Sequence, residues 1–144
     1  MKENKINKQK YTELVKRVNI SQINLVKINS EKYYHNNKNK KADVVIGNKP
    51  SVREILKDRF VVEFETNISS SSDEDEKIFN IDIKYELLYF VEGGIDKEEY
   101  GDVIDYFAYR NVPVNIWPYI RELVSEITVR MGFAPLVLKP LKVF

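Results

Sequence analysis

The chain of 144 residues contains no cysteine. That removes disulfide frameworks, thiolate nucleophiles and cysteine-based zinc sites together, and it fits a reducing compartment. Histidine occurs once, as His35, in a stretch of lysines and asparagines that supplies neither metal-ligand nor acid–base partners, so it reads as a solvated side chain. No apolar run approaches a membrane span, and the polar start Met1 to Lys10 lacks the apolar core of a signal peptide; a cytoplasmic protein without membrane insertion is expected. The serine run from Ser69 has no GxSxG setting, and Asp73 to Glu76 lacks the spaced ligands and glycine of a calcium loop. Neither an enzyme nor a cofactor is therefore expected.

A charge excess is also missing, because 23 lysines and arginines face 22 acids, for a formal net charge of +1. A domain wrapped along nucleic acid needs a surplus of cations. The balance conceals a division, however. Residues 1–50 hold twelve basic and four acidic side chains, net +8, and residues 51–144 hold eleven and eighteen, net −7. A nucleic-acid-binding module in the basic half, with Lys38, Lys40 and Lys41 beside Tyr33 and Tyr34, is the rival reading that this division keeps open, although no RNA-binding signature accompanies it.

What is present is enough apolar and aromatic material, 43% and 12% of residues, for one cored domain spanning 1–144. Residues 1–10 read as flexible. Tyr11, Leu14, Val15 and Val18 recur at helical spacing, giving a short helix over 11–18. Asn19 to Asn29 shifts to period two, with a slip of phase between the Ile23, Leu25 pair and the Val26, Ile28 pair that predicts a bulged strand. Lys32 to Lys41 reads as an exposed loop, and Ala42 to Gly47 as a short buried strand stopped at Asn48-Lys49-Pro50.

Phe60, Val62, Phe64, Thr66 and Ile68 then alternate with a mixed face, predicting a strand over 59–69, and residues 69–76 read as an acidic mobile loop. Phe79 to Val91 alternates without a break. Its second face begins polar at Asn80, Asp82, Lys84 and Glu86 and turns apolar at Leu88 and Phe90, so that end of the sheet is covered on both sides, and copies of the chain could supply the cover. After Gly93-Gly94, Asp96 to Arg110 reads as a helix with Tyr100, Val103, Ile104 and Phe107 on one stripe. A helix after a strand meander indicates an α+β fold. Asn115 is placed as the cap of a second helix with Pro118 in its first turn and Ile116, Ile120, Leu123, Val124, Ile127 and Met131 inward; Gly132 stops it and an extended tail should fold back onto it.

The run from Asn115 to Leu141 resembles the signature of the SecB family of export chaperones, through Trp117-Pro118-Tyr119, Arg121-Glu122, Gly132-Phe133, Pro135-Leu136 and Leu138. The resemblance implies a four-stranded antiparallel sheet with helices on one face, assembled as a tetramer that is a dimer of dimers. It also implies ATP-independent holding of unfolded or nascent polypeptides, without catalysis. Secretory members hand clients to the SecA motor ATPase through acidic side chains on the sheet surface, and the corresponding positions here are Gln22, Val26 and Asp82, of which only Asp82 is acidic. The added helix near Tyr11 resembles SecB-like proteins that shield an antitoxin, and the final helix of secretory members has no counterpart before Phe144.

A binder of unfolded chains needs accessible apolar surface, preferably aromatic. On that ground the client-contacting residues are expected to be Leu88, Phe90, Tyr106, Tyr109, Trp117, Phe133 and Leu138, with Val26, Tyr89 and Leu136 behind them. Trp117 beside Pro118 equally fits a packing anchor.

Overall fold

The computed structural model describes residues 7–33 and 42–141. In chain order it contains α1 (Lys8–Arg17), β1 (Val18–Lys32), β2 (Ala42–Ile55), β3 (Arg59–Ser72), β4 (Lys77–Val91), α2 (Lys97–Arg110) and α3 (Val112–Arg130). The lysine-asparagine stretch with Tyr34, His35, Lys38, Lys40 and Lys41 lies outside the described residues, as do residues 1–6 of the amino-terminal segment and Phe144.

The strands form one antiparallel sheet in the order β1-β4-β3-β2. Strict alternation in β3 and β4 decides which face the helices cover. Phe60, Val62, Phe64 and Ile68 of β3, with Ile81, Ile83, Leu87, Tyr89 and Val91 of β4, are buried on one side. Against them lie Ile104 and Phe107 of α2 and Ile116, Ile120 and Val124 of α3. The helices thus occupy one face of the sheet, giving the expected α+β layering. On the other face Val61, Glu63, Glu65, Asn67, Asp82, Lys84, Glu86, Leu88 and Phe90 meet solvent to varying degrees.

Local chemistry sets the boundaries. The Asn7 side chain caps α1 by accepting from the amides of Gln9 and Lys10 at 3.0 and 3.2 Å, so the helix starts before Tyr11. Leu14 anchors α1 in the core, while Arg17 donates to the carbonyls of Glu92 and Gly94 at 2.9 and 2.7 Å. Gly94 has φ +81, and a Cβ there would lie 3.1 Å from the Lys57 carbonyl oxygen, so the turn after β4 requires glycine on two counts. Register shifts between Ile20 and Gln22 and between Leu25 and Lys27 place bulges at Ser21 and Val26 of β1, the cause of the phase slip.

Three expectations are corrected. β2 runs through Pro50 to Ile55 and is largely exposed, because it is an edge strand in which a missing N–H is tolerated. Ser69 to Ser72 belong to β3, not to the acidic loop, which contracts to residues 73–76. Ser70 and Ser72 are buried on the pleat, and the Ser72 hydroxyl accepts from the amides of Glu74 and Glu76 at 3.3 and 3.2 Å. α3 starts at Val112 with Pro113 in its first turn, leaving Pro118 inside the helix and Asn115 beyond the capping position.

Candidate functional site

The ten residues expected to meet clients do not converge on one surface. Leu88 and Phe90 project from the open face of β4, where Leu88 pairs with Gln22 of β1 and Val61 of β3, and Phe90 with Asn19 and Arg59. Phe90 is exposed, as is Val26, whose bulge turns it outward at 54% exposure. Tyr109 on α2 is 66% exposed. Tyr106, one turn earlier, is half-buried and meets the Tyr11 ring edge-on at 4.9 Å, while the Tyr11 hydroxyl donates to the Asn111 side chain.

Tyr89 has the opposite fate. It is 1% exposed, lies between Phe60 and Phe107 with both ring centroids 5.1 Å away, and donates its hydroxyl to Asn115 Oδ1 at 2.9 Å. Burial pushes its phenol above the ordinary tyrosine value. Tyr89 forms the floor of a cleft of about 330 Å³ whose rim includes Val15 of α1 and Ile20 of β1, both exposed, with Val18, Phe107, Asn111 and Asn115 completing the wall. The sequence assigned neither Val15 nor Ile20 to a site. Their exposed apolar character becomes visible only when α1 and β1 are placed side by side.

The remaining four residues gather along α3 and the tail. Trp117 is 5% exposed and Leu138 is 4% exposed, so both are packed in the folded chain, in line with the anchoring role open to Trp117. Trp117 Nε1 donates to the Lys139 carbonyl at 2.7 Å and Arg121 Nε to the Leu138 carbonyl at 2.7 Å, while Thr128 Oγ1 accepts from the Leu136 amide at 2.9 Å. Phe133 and Leu136 are half-buried beside the core. Phe133 meets Phe79 at 5.8 Å, and Lys32 Nζ sits 4.9 Å over the Phe133 ring while donating to the Met131 carbonyl at 2.7 Å. Arg121 thus holds the tail backbone.

The open sheet face is polar at its centre. Asp82 accepts from Asn67 at 2.6 Å and, through its other oxygen, from Asn80 at 3.0 Å. Beside it a row crosses all four strands, in which Lys27 pairs with Lys84, Lys84 with Glu65, and Glu65 with Lys49. Lys84 bridges Glu63 and Glu65 at 3.0 and 3.2 Å, and these carboxylates hold its ammonium above the usual lysine value, Glu63 most strongly. A shallow cleft of about 470 Å³ runs along the row and is lined by Lys27, Lys49, Lys84, Glu65 and Asp82. The surface around Asp82 is thus mixed in charge. Gln22 and Val26, the other two positions tied to the motor, carry no carboxylate. Among the described residues no cluster of histidine, aspartate and glutamate could hold a metal ion, and no helix is long and apolar enough to cross a membrane.

Comparison with known proteins gives these surfaces a context. The chain is 33% identical over 79 residues to the protein-export protein SecB of Orientia tsutsugamushi (strain Boryong), covering 55% of this chain and 46% of the relative. It is 29% identical over 85 residues to the protein-export protein SecB of Alcanivorax borkumensis, covering 58% and 51%. The match thus spans about half the length of each relative. In fold it is similar to the SecB-like chaperone Rv1957 of Mycobacterium tuberculosis, solved in complex with a ChAD peptide from the HigA1 antitoxin Rv1956. The TM-score is 0.79 at 21% identity, over 92% of this chain and 98% of that one. The family model described as preprotein translocase subunit SecB matches residues 7–143, a stretch that takes in every element of the fold, and the chain belongs to the SecB family.

Proposed function

We propose that the protein is an ATP-independent holdase that binds unfolded or nascent polypeptides on exposed apolar surface, with no catalytic step. One observation carries the reading. Apolar side chains that a closed monomer would cover stay open around the cleft between α1, β1 and the helices: Val15 and Ile20 form its rim, and Leu25, Val26 and Ile28 continue the exposed apolar line along β1. Such contiguous apolar surface marks a binding site rather than a finished core. Phe90 on the opposite face of the sheet and Tyr109 on α2 are further exposed rings, of a kind that accepts many partners.

A homotetramer, assembled as a dimer of dimers, is part of the proposal. β1 and β2 are both edge strands, fifteen and fourteen residues long, whose outer main-chain groups no strand among the described residues pairs. The mixed charge around Asp82 favours a dedicated client, such as an antitoxin segment, over handover to a motor of the SecA type. Asp82 is already held by Asn67 and Asn80, and Lys27, Lys49 and Lys84 line the same cleft.

The experiment is suppression of aggregation of a chemically unfolded protein, followed by light scattering with and without this chain. Suppression at stoichiometric tetramer that is lost on Val15→Asp with Ile20→Asp is the expected result. Undiminished aggregation at that ratio, with a folded protein, would falsify the reading.

A further inference from the structure

Among the described residues the tail from 133 to 141 is extended and pairs with no strand, yet it is fastened to α3 by three hydrogen bonds of one kind. Each joins a helix side chain to the tail main chain: Trp117 and Arg121 donate to the carbonyls of Lys139 and Leu138, and Thr128 accepts from the amide of Leu136. Trp117, Arg121 and Thr128 are four and seven residues apart and so share one stripe of the helix. Leu138 is buried against that stripe and Leu136 half-buried, while Val137 between them is 70% exposed. The seat therefore reads backbone groups and alternate apolar side chains of an extended chain. Nothing in that recognition specifies the tail's own sequence.

The flanking prolines reinforce the point. Pro135 and Pro140 hold the segment extended and keep it from joining a sheet. The start of the tail is fixed separately: Gly132 takes φ +91 and Lys32 clamps Met131 and Phe133, so a segment released from α3 would swing from a defined root.

We propose that the stripe of Trp117, Arg121 and Thr128 is a second docking surface for extended apolar polypeptide, closed in the client-free chain by its own residues 136–139 acting as a displaceable strap. The inference rests on the holdase reading and adds competition to it. A client reaches the stripe only in molecules whose strap is open, so the apparent dissociation constant is the intrinsic one divided by the open fraction. Loosening the strap without altering the stripe should tighten binding.

The test uses the full chain and, as probe, fluorescently labelled, reduced and carboxymethylated α-lactalbumin, followed by anisotropy. Leu138→Ser and the milder Leu136→Ala, checked for folding by circular dichroism, should each bind the probe more tightly, Leu138→Ser on the order of tenfold. A synthetic peptide of residues 133–141 should then displace the probe from the Leu138→Ser chain. If the unaltered chain holds the probe and neither folded variant binds it more tightly, the strap is overturned while the holdase reading stands. If no form holds the probe although the synthetic peptide still seats on the Leu138→Ser chain, the holdase reading fails, and the stripe is shown to serve only its own tail.

Discussion

Tyr89, which stands behind seven other residues as an expected client contact, is buried at the floor of a cleft, so Tyr89→Phe separates packing from binding. The substitution keeps the ring between Phe60 and Phe107 and deletes only the hydroxyl that donates to Asn115 Oδ1. A hydrogen bond of this kind contributes about 1 kcal/mol net, and Asn115, being only partly buried, can turn to water once its partner is gone. The expected loss is therefore about 1 kcal/mol, roughly a fivefold drop in the folding constant and about 3 to 4 °C in thermal midpoint for a domain of this size. Thermal denaturation by circular dichroism reads it directly.

The same variant changes the alkaline limb of stability. Burial raises the Tyr89 phenol in the folded state, so its contribution is complete below the ordinary tyrosine value of 10.0 and is lost as pH climbs past it, when the unfolded chain ionises first. Removal of the phenol should flatten that alkaline decline. Client affinity, measured where both proteins are fully folded, should not move, because the phenol is closed off from a bound chain. A weaker affinity with an unchanged melting midpoint would refute this account and make Tyr89 a contact residue.

Further outcomes follow from the same geometry. Gly94→Ala forces a side chain onto φ +81 and against the Lys57 carbonyl, and should destabilise by upwards of 1 kcal/mol in urea denaturation, whereas Gly47→Ala, with open space where its Cβ would stand, should cost less. Leu14→Ala empties a fully buried position that ties α1 to the core and should cost about 2 to 5 kcal/mol. Trp117→Phe keeps an aromatic anchor but loses the donor to Lys139, so hydrogen exchange of the Leu136 amide should quicken with little change in global stability. Lys27→Glu converts the Lys27, Lys84 cross-strand pair from like to opposite charges and should raise the thermal midpoint slightly at low salt, an increase that added salt removes.

The parts of the fold legible in the sequence are those in which burial imposes one period. Ile81 to Val91 and Phe60 to Ile68 alternate because helices cover one face only, and Tyr100 to Phe107 repeats at helical spacing because one stripe faces the sheet. β2 escaped because an edge strand with few buried side chains leaves no periodic record, and Pro50 looks like a terminator when its neighbours are unknown. Serine is a weak signal of either state, so Ser69 to Ser72 read as a loop although alternate hydroxyls lie in the pleat. For the candidate site, Val26, Phe90 and Tyr109 are exposed, the accessibility that client contact requires. Tyr89, Trp117 and Leu138 share that chemistry but are buried, and burial depends on contacts 22 to 26 residues away, such as Trp117 with Lys139 and Tyr89 with Asn115.

The two margins of the sheet differ in a way that bears on how large an assembly can grow. β1 offers a long border interrupted by bulges at Ser21 and Val26, whereas the β2 border contains Pro50, which supplies no donor, and a register shift that turns Arg53 onto Glu63 at 2.9 Å. A copy joined to β1 by its own β1 would meet an identical border in reverse and close the pairing at two chains. Joining β1 to β2 would leave one border of each kind at the ends and could repeat without limit, and the proline and the bulge on β2 obstruct that route. The backbone of β2 thus carries a stop against end-to-end polymerisation, which leaves the exposed apolar side chains of β1 free of strand-on-strand growth.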